Sequence, residues 1–143
     1  MKFGAASLAV TLMLATGAFA AAPKPMSVDQ SGSFLIDAAV TEQIWKANTP
    51  ARVAKLYPSK KFRFVSEVGG GFNDAKICIV SARAMVLPVV FLPIQGTKIV
   101  YAPIKSATSY DAAPNLSREQ CQELAKAKLK EAVQSVTSAL AAS

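Results

Sequence analysis

Cys78 and Cys121 are the only thiols of a chain that has no histidine. In an oxidising compartment an even cysteine count reads as a disulfide. Closing the loop between these two positions would stabilise the fold by about 4 kcal/mol in the chain-entropy model. A redox pair would show C-x-x-C spacing, which is missing, and two thiolates without imidazole fall short of a zinc ligand set. The missing imidazole also removes Ser-His and Cys-His nucleophiles.

Carboxylates could still run glycoside hydrolysis, which needs a pair and no histidine. Glu119 and Glu123 are one helical turn apart, but the first turn of a helix is also where acidic residues offset the macrodipole. Asp111 and Glu67 are alternatives with no evident partner. No serine stands three residues before a lysine, and G-x-S-x-G is absent. Gly96-Thr97-Lys98 resembles the end of a phosphate loop, yet Phe91 stands where its first glycine belongs. Gly69-Gly70-Gly71 before Asn73-Asp74 reads as a turn, with a backbone anion nest as the alternative; two oxygen ligands are too few for calcium. Tyr57, Tyr101 and Tyr110 could be core, rim or binding aromatics. No catalytic, cofactor or metal site is therefore expected, and a histidine-free hydrolase is the weakest functional reading.

Charge offers more. The formal net charge is +7, and +6 once Lys2 leaves with a cleaved leader. Lys55, Lys60, Lys61 and Arg63 form one cluster, the candidate contact for anions; Lys126, Lys128 and Lys130 form another. Such a field favours lipid headgroups, anionic polysaccharide or acidic proteins. Nucleic acid is not expected, because no aromatic residues interleave with a basic stripe.

One apolar stretch is conspicuous. Residues 85–93 (MVLPVVFLP) carry no charge, and Pro88 cannot donate to a ladder, so this strand should lie at a sheet edge or carry a bulge. Val86, Pro88, Val90, Phe91 and Leu92 form the candidate edge for a partner's strand. An open edge of this kind needs a cover, either from within the domain or from another chain.

The elements that would position these residues follow from pattern. Met1-Lys2, an apolar run over 7–15 and Ala18-Phe19-Ala20 make a secretory signal peptide, cleaved after Ala20, of bacterial style. A retained anchor is the competing reading, since residues 3–22 are uncharged; the membrane is touched only through that segment. The periplasm or the medium is the expected location. Residues 21–33 read as a flexible leader and 34–143 as a single domain. Ile36, Val40, Ile44 and Ala47 recur at helical spacing. Thr49-Pro50 caps and opens a second, short helix that Pro58 stops.

Phe62 to Val68 alternates as a strand, and Lys76 to Arg83 is apolar on both faces at Ile77-Cys78-Ile79-Val80, as a central strand would be. Residues 85–92 and 97–102 give two further strands, with 105–114 a connecting loop. Ser117 and Gln120 form a capping box. Cys121, Ala125, Leu129, Ala132, Val136 and Leu140 then line one face of a long helix, with Lys128 at the margin.

The expected fold is α+β: two short N-terminal helices, a four-stranded antiparallel meander, and a long C-terminal helix packed on the sheet and disulfide-linked to it. The expected function is a small exported, non-enzymatic interaction module whose partner is another envelope protein (accessory, inhibitor or toxin-neutralising type). A basic binder of lipid headgroups or polysaccharide is the alternative.

Overall fold

The computed structural model describes residues 27–32, 34–92, 96–99 and 102–143. The expected signal peptide over 1–20 and Tyr101 lie outside them. The architecture is α+β, and its elements run β1 (Ser27–Asp29), α1 (Ala38–Asn48), α2 (Ala51–Leu56), β2 (Phe62–Phe72), β3 (Ile77–Leu92), β4 (Gly96–Ile99), β5 (Lys105–Pro114) and α3 (Arg118–Ala141). Four strands form one mixed sheet in the order β1-β2-β3-β5, and β4 pairs the far end of β3.

The sheet departs from a pure antiparallel meander at its start. Within the leader, Ser27–Asp29 pairs parallel to β2, Ser27 opposite Phe64. Polar Ser27 and Asp29 hid this strand, because a three-residue parallel edge shows no alternation. Beyond it, β2, β3 and β5 are mutually antiparallel.

The expected strands at 76–83 and 85–92 are a single 16-residue strand. Its inward face, Cys78, Val80, Ala82, Ala84 and Val86, is buried in the main core, as are Phe64 and Val68 of β2. Alanines at the middle of β3, and at Ala125 and Ala132 of α3, keep helix and sheet close. Trp45 of α1 closes this layer edge-on against Phe64, with ring centroids 5.1 Å apart, and its indole N–H donates to Ser66 Oγ at 2.6 Å. A buried indole donor is thereby satisfied.

Residues 105–114 are a strand rather than a loop. Its odd positions are half-buried or at the margin under α3 and its even ones are exposed. Small polar residues suit that half-covered place but give too weak a hydrophobic alternation to be read as a strand.

The turn also shifts. Gly69, Gly70 and Gly71 lie in β2, and the chain reverses at residues 73–76, where Asn73 Oδ1 accepts from the Ile77 N–H at 2.9 Å. Gly70 has φ +126°, and a Cβ there would lie 2.0 Å from the Ile79 carbonyl oxygen. The glycine run therefore permits close approach of two strands rather than a reversal.

The helices begin where their caps dictate. Asp37 accepts from the Val40 N–H at 2.8 Å and opens α1. Thr49 does not cap α2: Pro50 is the N-cap residue, and the buried Thr49 hydroxyl has no partner among the described residues. On α3 the Ser117/Gln120 capping box forms in both directions, and the whole predicted stripe from Cys121 to Leu140 is buried. Cys78 and Cys121 are disulfide-bonded, with Cα atoms 5.8 Å apart, which ties the central strand to the first turn of α3.

Candidate functional site

The catalytic candidates do not converge. The Glu119 carboxylate accepts from the Ser117 hydroxyl at 2.9 Å, and Glu123 pairs with Lys126 at 2.6 Å. Hydrogen bonding from its backbone and from Ser117 holds the Glu119 carboxyl below the usual carboxylate range, the wrong direction for a general acid. Asp111 pairs with Lys128 at 3.4 Å, and Glu67 sits opposite Arg83 on neighbouring strands. Among the described residues no cluster of three metal-ligating side chains occurs, and no helix is long and apolar enough to cross a membrane. A groove of about 110 Å³ between α3 and the start of α1, lined by Leu35, Ile36, Asp37, Gln122 and Lys126, falls below the size of ordinary small-molecule sites.

The apolar segment is not an edge along its first part. Val86 is fully buried, with Phe64 of β2 on one side and Lys105 of β5 on the other. Pro88 lies opposite Phe62 inside the central strand. The Val89 N–H donates to the Lys61 carbonyl at 2.7 Å, on the β2 side, so the Pro88 nitrogen faces the other way, because N–H groups alternate along a strand. On that other side the β5 ladder ends at Val86 and the β4 ladder begins at Val89. Proline thus occupies a break between two ladders, and the Ile104 N–H re-enters at the Val86 carbonyl. Pro88 is therefore not on a sheet edge, and its pairing with β2 runs on without a register shift.

Beyond Pro88 the molecule changes character. Val90, Phe91 and Leu92 pair with Lys98, Thr97 and Gly96 of β4. β2 begins at Phe62, opposite Pro88, so among the described residues no strand flanks 90–92 on the β2 side. The β3–β4 hairpin thus extends past β2 with one main-chain edge that no described residue pairs.

Of the first basic cluster, Lys60 and Lys61 stand at the root of that hairpin, where the Lys61 carbonyl accepts from Val89. Lys60 and Lys61 are exposed in the turn before β2, and Lys55 is exposed in the last turn of α2. Arg63 differs, because its guanidinium donates to the carbonyls of Ser59 and Phe62 and braces this turn. Lys105, which the loop reading of 105–114 passed over, joins the same end: it opens β5 opposite Val86, whose other neighbour is Phe64. Only the strand register brings it there. The second cluster stays on α3, where Lys126 and Lys128 are spent on Glu123, Glu131 and Asp111. The Lys128 ammonium is held above the usual lysine range, chiefly by Glu131 and also by Asp111.

On the face away from the helices, Val65, Met85 and Leu87 form a small buried cluster with Val28 against it. Further along that face the sheet is open, with Ile79 43% and Tyr110 81% exposed. In comparisons with known proteins, no family model, no curated protein and no solved structure matches this chain.

Proposed function

We propose that this protein is a small exported, non-enzymatic interaction module of the bacterial envelope, and that the β3–β4 hairpin receives its partner. The observation that carries the reading is the hairpin's edge over 90–92, beyond the first residue of β2, which no strand flanks among the described residues. An extended segment of another envelope protein can add there as a strand, with main-chain bonds giving affinity. A second reading has its own support: Lys60, Lys61 and Lys105 stand near the hairpin root, and Lys55 is exposed on α2, as a binder of lipid phosphate or anionic polysaccharide would use.

Salt separates the two. Tagged protein is used to capture material from native envelope fractions at low salt and at roughly half-molar salt, where the Debye length is about 4 Å. A single protein retained at both salts, and lost with Phe91→Pro, is the expected result. Loss of everything at high salt, with lipid or polysaccharide in the low-salt eluate, transfers the assignment to the anionic surface. Nothing retained at either salt overturns both.

A further inference from the structure

A second edge of the sheet is open, and it is complementary to itself. Among the described residues β5 pairs only with β3, which leaves its outer side free along a ten-residue strand. The direction of its groups follows from one bond. The Ala112 N–H donates to the Asp111 carboxylate at 2.8 Å rather than entering the ladder, so even positions of β5 point their N–H groups outward. The outward donors are then Ser106, Thr108 and Tyr110. Past them the edge is blunted, because Asp111 already occupies the Ala112 N–H and Pro114 has none.

From this we infer that two copies of the chain join by antiparallel pairing of β5 with β5, about a two-fold axis at Thr108. Thr108 then faces Thr108 of the other copy, and Ser106 faces Tyr110. All three are outward-pointing positions, so every free donor of that stretch finds a carbonyl. No other two-fold register uses all three while avoiding the blocked end.

Charge agrees with this register. It sets Lys105 opposite Asp111 of the second copy, and Asp111 opposite its Lys105, two reciprocal attractive pairs on the helix side of the sheet. Opposite charges directly across neighbouring strands are favourable. Shift the register by one pair of residues in either direction and both pairs are lost. On the other face Tyr110, 81% exposed in the single chain, comes to lie beside Ser106 and Thr108 of its counterpart.

The helices allow the approach. α3 packs over β3 and β5 together, so its axis sits inside the β5 edge. Two strand spacings then separate the two α3 axes, about 10 Å, an ordinary distance for packed helices. The contact uses an edge distinct from the β3–β4 hairpin, so it holds or fails independently of the function proposed above.

Sedimentation velocity of the wild-type chain over a concentration series tests it, with Thr108→Cys as a probe of register. The wild-type should sediment at twice the monomer mass at high concentration. Thr108→Cys should form a disulfide-linked dimer under mild oxidation, at least tenfold faster than Ser81→Cys on the exposed face of the central strand. Lys105→Glu should shift the dimer midpoint to at least tenfold higher concentration. Thr108→Pro should be monomeric while keeping wild-type circular dichroism, since the nitrogen it alters is not used within the chain. A wild-type chain that is monomeric throughout the series overturns the proposal. A dimer indifferent to both Lys105→Glu and Thr108→Pro does so too, as does cross-linking of Ser81→Cys as fast as Thr108→Cys.

Discussion

The two ends of the sheet are built on opposite principles. At one end everything is tied: Cys78 is bonded to Cys121, Ser117 and Gln120 cap the helix that carries Cys121, and Gly70 lets β2 meet β3 without a side chain between them. At the other end the ties are withdrawn. β2 starts late, Pro88 offers no donor, β5 hands over to β4, and exposed lysines stand around the gap. The cross-link, the helix cap and the close strand approach share one end, and the hairpin edge that no described strand flanks lies at the other. A small domain can then present an open edge without loosening its core, because its marginal stability is supplied elsewhere.

The contrast breaks most visibly at Gly70. Gly70→Ala would place a methyl group 2.0 Å from the Ile79 carbonyl at φ +126°. It should cost about 3 kcal/mol or more, read as a lowered denaturation midpoint. Removing the tether with Cys78→Ser and Cys121→Ser should cost a comparable amount, with about 4 kcal/mol as the ceiling of the entropic model. Reduction of the wild-type followed by the same denaturation curve checks it.

Ser117→Ala, which deletes half of the capping box, should cost about 1 kcal/mol. Between the ends, the Ser109 hydroxyl and Lys128 hold the Glu131 carboxyl below the usual range. Because the folded value is depressed, the contribution is present at neutral pH and is lost as the pH falls through that folded value. Ser109→Ala should move the Glu131 titration upward, as followed by NMR. The smallest effect belongs to the open end: Lys60→Glu with Lys61→Glu should leave stability within about 0.5 kcal/mol of wild-type. A loss comparable with that of the cysteine variants would mean that the two ends are not separate in their energetics.

Much of the tied end was legible in the residues, and little of the open end was. Two cysteines, a capping box and a six-residue apolar stripe are local or countable signals, and they agreed on a helix pinned to a central strand. β1 and β5 were missed because partners elsewhere in the chain, not their own patterns, make them strands. Glycines 69–71 misled for a related reason: the same freedom that makes a turn also admits a close strand, and only the neighbour at Ile79 decides between them. Lys105 was invisible as a member of the basic end, because register alone carries it there from 42 positions beyond Arg63.

What the sequence by itself determined is the chemistry that this chain forgoes and the bond it makes: histidine-free, with two thiols placed on elements whose periodicity turns both inward. Only the tertiary structure decided which backbone stays unpaired. Hydrophobic periodicity specifies the face a residue presents, since burial acts on side chains one position at a time. An edge is the absence of a neighbour, and no residue encodes a neighbour that is not there.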